Sequence, residues 1–441
     1  MQGKVSMVMP CYNKADYIGE MFDSIIGQEW DNVELIIVND GSTDATRDVI
    51  EQYKARLCGR GFEVVIVDQE NAGVCAAAKA GLERITGDYV CMVDADDELD
   101  SKYVSIMAGW LQEHEEFDYT VCDHLCYVGT GCEKEFRPSG YPIVENGCPD
   151  MTVRYLLYKL CGAVWSYMVR TEYLKKCRIV ETFDTSTKGT HEPCYMIPLT
   201  AYGGRVKSFS ETLYRFNYTD AESHSRPGTF DKQHSYRLET LELHKRAIGI
   251  LPCDVANDAT KKHFLEAANL RYLKDCASRT HMAGGEEKKA QITEEIVVFL
   301  NSTMWLCKPL KANEIVGKET VVLECAERYF MKEKHQPQFR PDGRIIGYGA
   351  LGKIASRLLP ILKDTIIEPT ELWDKNADGI VAQKPKFDSL NKDDVLLVFP
   401  VGAVENELRI KFNEVPFNVY YSTEIRDILV NELYCTNFRR I

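Results

Sequence analysis

Residues 5–9, 33–38, 63–67 and 89–93 form four apolar runs, and stretches of helical character at 15–27, 43–57 and 75–85 separate them. The runs are nearly continuous instead of alternating polar and apolar. Strands of that kind are covered on both faces, as in a parallel sheet wound by helices. Loops that leave the carboxyl ends of parallel strands share one edge, where doubly wound sheets bind ligands. This alternation predicts an α/β fold with a site on that edge.

Three loops expected there carry chemistry. Asp94-Ala95-Asp96-Asp97 ends the fourth run. Carboxylates so close repel one another unless a cation or hydrogen-bond donors relieve them. Magnesium takes one or two protein carboxylates and completes its shell with water and phosphate, so a diphosphate ligand is expected with it. Pro10-Cys11-Tyr12-Asn13 follows the first run and Asn39-Asp40-Gly41-Ser42 the second. An aromatic ring can stack on a nucleobase, a carboxylate can accept its imino N–H, and a glycine permits close backbone approach.

These motifs, with the Glu70-Asn71-Ala72-Gly73-Val74 turn, resemble family 2 of the glycosyltransferases in the GT-A fold, over residues 4–225. The resemblance implies that Asp40 contacts the base and Asp94 the ribose or base side of the nucleotide. It implies that Asp96 holds Mn2+ or Mg2+ at the diphosphate, with Pro10, Tyr12 and Asn71 completing the donor pocket. Related enzymes keep an acidic pair at a helix start about a hundred residues after the metal motif. Thr190-His191-Glu192-Pro193 matches by position, which makes Glu192 the expected general base. The alternative for Glu192 is a helix-start acid complementing the dipole. Trp165 is expected at the acceptor, with core packing as the alternative, and His224 is a candidate phosphate contact. One departure is Ala78-Lys79, where relatives often carry Arg-Asn.

The chain has 441 residues, enough for roughly three domains. The expected division is a GT-A domain at 1–232, a mostly helical bridge at 233–335 and a small Rossmann-like domain at 343–441, after a proline-rich linker. The last carries Gly347-Tyr348-Gly349-Ala350-Leu351-Gly352 between strand and helix, with Asp374 22 residues beyond Gly352. That spacing matches a dinucleotide fingerprint. About 100 residues leave little room for a catalytic substrate domain, so nucleotide binding or an oligomerising role is expected there.

Lys and Arg number 53 against 67 Asp and Glu, a net charge of −14. Such a field repels a nucleic-acid backbone. The longest nearly apolar stretch, 395–404, is half the ~20 residues a membrane-spanning helix needs. A cytoplasmic protein is expected, with peripheral contact at the inner face of the cell membrane compatible with it. Cys122, His124, Cys126 and Cys132 could hold zinc if their loop folded back, but alternate positions of a strand are the favoured reading.

The expected activity is metal-dependent, inverting transfer of a sugar from a nucleotide donor, a UDP-sugar first, to a saccharide or lipid-linked acceptor. The competing readings are an oxidoreductase or sugar-nucleotide modifying enzyme run by the C-terminal domain, and a non-catalytic nucleotide-binding protein.

Overall fold

The computed structural model describes residues 2–128, 133–137, 144–145, 151–187, 190–217, 229–282, 284–303, 311–331, 345–348, 369, 371–373, 386, 390, 395–398 and 418–421. The chain forms two compact units, residues 1–286 and 287–441.

In the first unit, strands β1 (Val5–Cys11), β2 (Val33–Asp40), β3 (Glu63–Gln69) and β4 (Tyr89–Met92) alternate with helices α1 (Ile18–Ile26), α2 (Thr46–Gly59) and α3 (Val74–Leu82). All pairings among these strands are parallel, in the order β3-β2-β1-β4. The apolar runs thus form the expected wound sheet. Met7, Met9, Leu35 and Ile37 are fully buried and pack with Met21, Phe22 and Ile25 of α1.

β2 also carries Glu34, 1% exposed, which the apolar pattern conceals. It accepts hydrogen bonds from the Thr86 hydroxyl at 2.6 Å, the Thr86 and Gly87 N–H groups at 2.5 and 3.1 Å, and the Ser6 hydroxyl, and it pairs with Lys4 at 2.8 Å. Burial alone would raise this carboxyl, but these partners hold it down at about 2.

The sheet then reverses. β5 (Glu98–Leu99) and α4 (Tyr103–Glu113) lead into β6 (Tyr119–Val128), β7 (Glu133–Arg137) and β8 (Val144–Glu145). After α5 (Met151–Leu156), β9 (Tyr167–Arg170) inserts antiparallel between β4 and β6. Next come α6 (Thr171–Lys176), α7 (Ile179–Thr182) and α8 (Glu192–Ala201), and then β10 (Val206–Asn217), parallel to β6 and antiparallel to β5. The full order is β3-β2-β1-β4-β9-β6-β10-β5. Cys122, His124 and Cys126 fall at alternate positions of β6, and Cys132 lies outside the described residues.

Helices α9 (Phe230–Gly249) and α10 (Asp258–Arg279) start at side-chain caps, the Thr229 and Asn257 oxygens accepting from the Lys232 and Thr260 N–H groups. They pack on each other, α9 also on α8 and α10 on α5. Both helices lie in the first unit.

In the second unit, α11 (Lys289–Thr303), α12 (Ala312–Ile315) and α13 (Glu319–Met331) precede β11 (Ile345–Tyr348), β12 (Glu371–Trp373), β13 (Val395–Val398) and β14 (Asn418–Tyr421). These strands form an all-parallel sheet, order β12-β11-β13-β14. Gly347 sits in β11, whereas Gly349, Gly352 and Asp374 lie outside the described residues.

Candidate active site

The loops after β1, β2 and β3 are stitched together by side chains. The Asn13 N–H donates to the Ser42 hydroxyl at 3.1 Å, and the Thr43 N–H to the Asn13 side-chain carbonyl at 2.8 Å. Thr46 accepts from the Lys14 N–H at 2.7 Å, and the Thr46 N–H donates to Asp44 at 2.9 Å, starting α2. Tyr12 protrudes from this frame, 43% exposed, and Pro10 is partly buried beside it in β1.

Asp40 is 3% exposed and aims its carboxylate at the next turn. It accepts from Gln69 Nε2 at 2.8 Å, the Ala72 N–H at 2.9 Å and the Gly73 N–H at 2.8 Å. The carboxylate expected to meet a base therefore clamps the turn that carries Asn71. Gly41, at φ 68°, passes so close that a Cβ would stand 2.6 Å from the Asn71 backbone nitrogen. Only glycine accommodates both the left-handed backbone and that approach.

The acidic cluster follows β4, and its three carboxylates differ. Asp97 is 1% exposed, accepting from the Tyr214 hydroxyl at 2.8 Å and the Asn217 N–H at 2.7 Å. Burial and the charges of Asp94 and Asp96 push its carboxyl well above the usual range. Tyr214 bridges, since its oxygen also accepts from the Asp94 N–H at 3.1 Å. Asp96 pairs with the Lys14 ammonium at 2.7 Å. Asp94 is raised by burial and then by Asp96, lowered by Lys14 and raised again by Glu192.

Glu192, partly buried, opens α8, and its N–H donates to the Thr190 hydroxyl at 3.3 Å. Burial raises its carboxyl, which Arg271 and then Arg237 oppose. The neighbouring His191 is 9% exposed, Nε2 has no hydrogen-bond partner among the described residues, and burial lowers the ring to about 4, so it is neutral at pH 7.

Trp165 is 6% exposed and belongs to the core cluster. Its ring stacks on Tyr214 at 4.1 Å and Phe216 at 5.6 Å, with His124 edge-on at 4.7 Å. The ring is thus packed within the core of the first unit. Ala78 is fully buried and Lys79 partly buried in α3. His224 lies outside the described residues.

Sequence reasoning missed Lys14, Tyr214 and the two arginines. Lys14 directly follows the Tyr12-Asn13 motif, and an acidic cluster in need of a cation was the available signal. Nothing local distinguishes Arg271 from the other charges of an amphipathic helix.

Residues 6–178 match the family model "Glycosyl transferase family 2". The match covers less than half of the chain. Among curated relatives, the glycosyltransferase GlyA of Streptococcus pneumoniae serotype 4 is 35% identical over 112 residues, 25% of this chain and 16% of GlyA. An uncharacterized glycosyltransferase of Bacillus subtilis, EpsJ, is 25% identical over 217 residues, 48% of this chain and 60% of EpsJ. The chain thus covers less than two thirds of the length of either. A crystal structure of S. aureus TarS 1-349 aligns with 77% of this chain and 95% of its own, at a TM-score of 0.51 and 18% identity. The first unit has the GT-A fold, and the Asp94 to Asp97 cluster lies inside the matched segment.

The family implies a divalent metal at this cluster. Asp94 and Asp96 offer the hard oxygen donors that Mn2+ or Mg2+ prefers. Burial first, and then the neighbouring carboxylates, raise the Asp94 and Asp97 carboxyls, with Lys14 opposing the shift at Asp94; a cation beside them would relieve that charge. Among the described residues no group of three or more His, Cys, Asp or Glu could hold one alone. No described helix is long and apolar enough to cross a membrane.

Proposed function

We propose that the chain is an inverting glycosyltransferase that moves a sugar from a nucleoside-diphosphate donor, a UDP-sugar first, to a saccharide or lipid-linked acceptor. The feature that supports this reading is the acidic cluster that follows β4, on the same sheet edge as the loops after β1 and β2 and inside the segment that matches the glycosyltransferase family 2 model. Tyr12, Asn71 and the Asp40-held turn would seat the nucleoside, with Asp94 on its ribose side.

Asp96, with Asp94, would hold Mn2+ or Mg2+, which when bound neutralises charge developing on the leaving diphosphate. Lys14, paired with Asp96, adds positive charge on the same side. Glu192 accepts the proton of the acceptor hydroxyl as it attacks the sugar carbon from the face opposite the diphosphate, a contribution of roughly 100- to 10,000-fold. Tyr214 fixes the cluster by holding the Asp97 carboxyl and the Asp94 backbone together.

The test is release of nucleoside diphosphate from a panel of nucleotide-sugars, with saccharide acceptors, in Mn2+ or EDTA. Wild type should turn over one donor in a metal-dependent way, Asp96→Asn should lose that dependence, and Glu192→Gln should fall at least about 100-fold. Full activity of Glu192→Gln removes the base assignment. Turnover unaffected by EDTA removes the metal.

A further inference from the structure

Helix α5 closes on a residue that its backbone alone would not select. The Lys159 N–H donates to the Arg154 carbonyl at 2.8 Å and the Tyr158 N–H to the Tyr155 carbonyl at 3.1 Å, the pair of bonds that ends a helix through one left-handed residue. That residue is Tyr158, at φ 59°. Glycine usually fills such a position, because a Cβ there crowds the carbonyl that follows. Tyr158 is also 45% exposed, while Leu157 and Leu160 beside it are 1% and 4% exposed. Burial of the ring therefore does not account for a tyrosine at this point.

The ring is nonetheless fixed in place. Its hydroxyl donates to Asp275 of α10, and the Arg271 guanidinium of the same helix lies 3.8 Å from its centroid. At that separation the cation covers one face of the ring. Both partners are buried, Arg271 at 7% and Asp275 at 9% exposure. Both are held in turn, Arg271 by the Tyr155 carbonyl at 3.2 Å and Asp275 by Arg279 at 3.1 Å and Arg237 at 3.5 Å. What Tyr158 exposes is thus its other face and its edges, presented in one orientation.

Contacts connect this ring to the candidate base. Arg271 also lies 5.1 Å from the Tyr155 ring centroid. A Cβ at Gly162 would stand 3.0 Å from Tyr155 Cε2 and 3.9 Å from Glu192 Oε2. The run is therefore Tyr158, Arg271, Tyr155, Gly162, Glu192. Among the described residues, Tyr12 and Tyr158 carry the exposed aromatic rings. Tyr12 belongs to the donor loops, and Trp165, expected at the acceptor, is packed in the core.

We propose that Tyr158 is a saccharide platform on the acceptor side, its open face receiving the C–H face of an acceptor sugar. This rests on the reading of the chain as a glycosyltransferase with Glu192 toward the acceptor. A sugar laid on the ring removes apolar area from water and sets C–H groups against the negative π face. A ring already immobilised loses little further freedom on binding. A strained residue that its surroundings hold in place in this way is expected at a ligand contact.

The experiment measures binding of chitotriose, cellotriose and maltotriose to the full chain by saturation-transfer NMR, with neither donor nor metal present. At least one should bind the wild type, with saturation strongest on its ring C–H protons. Tyr158→Leu should weaken that binding about tenfold, and Tyr158→Phe, which keeps the ring, should stay within about threefold of wild type. Should Tyr158→Leu fail to fold, Tyr158→Gly, which suits the left-handed backbone and removes the ring, takes its place. A purely structural tyrosine would shift the melting transition in these variants and leave saccharide affinity unchanged. Equal binding by wild type and a folded ring-less variant, or no binding of any trisaccharide by wild type, overturns the proposal. Binding through Tyr158 in a chain that releases no nucleoside diphosphate would remove the transferase reading alone. Active transfer with acceptor affinity unaltered in Tyr158→Leu would remove the platform alone.

Discussion

Replacing Asp40 by Asn tests whether a buried charge holds the donor edge in shape. The carboxylate accepts from one side-chain amide and two backbone N–H groups between 2.8 and 2.9 Å, at 3% exposure. Asn keeps the shape but supplies one acceptor oxygen. In either amide orientation an NH2 group must face a donor of the 69–73 turn. A hydrogen bond to a charged group contributes about 1.5–3 kcal/mol, and a buried donor left unpaired costs about 1–3 kcal/mol. The two overlap, so the net loss should be about 2–4 kcal/mol. At roughly 2–4 °C per kcal/mol for a unit of this size, the melting transition of the first unit should fall by about 4–16 °C. Trp30, Trp110 and Trp165 fluorescence follows that unit. Gln69→Ala, which removes only the side-chain donor, should cost no more than about 1.5 kcal/mol. If Asp40→Asn melts within a degree of wild type, or no lower than Gln69→Ala, the clamp is not what orders the turn.

Two further predictions concern the same framework. Glu34→Gln should destabilise the first unit by about 2–3 kcal/mol at pH 7, from a carboxyl held near 2 against an ordinary value of 4.5. Because that folded-state value is depressed, the benefit is complete above about pH 4.5 and fades as pH falls toward 2. Urea midpoints of wild type and variant should therefore converge on acidification, and a pH-independent gap would contradict the sign. Gly41→Ala places a Cβ 2.6 Å from the Asn71 nitrogen at φ 68° and should cost about 2 kcal/mol or more. It should also weaken nucleotide binding in calorimetric titration, whereas a variant that melts and binds like wild type would show that the 39–42 loop yields freely.

Much of the first unit was legible without coordinates. Buried parallel strands need apolar residues on both faces, so residues 5–9, 33–38, 63–67 and 89–93 could hardly be anything else. Their loops reach one edge because parallel strands end in the same direction, which brought the Tyr12, Asp40 and Asp94 loops together. The antiparallel half was read less well. β6 and β10 run to Val128 and Asn217, and Asp123, His124 and Glu211 interrupt the apolar signal along them.

What a charge touches is a different matter, because no periodicity encodes it. The sequence alone determined that carboxylates and an aromatic ring would meet on one edge. The tertiary structure decided that Asp40 clamps a backbone turn, that Trp165 lies in an aromatic stack, and that Lys14 pairs with Asp96. Hydrophobic patterning is local, repeated and redundant, so it survives reading one residue at a time. The partner of a buried charge is a single long-range contact, fixed only when the packed layers bring one side chain rather than another within a few ångströms.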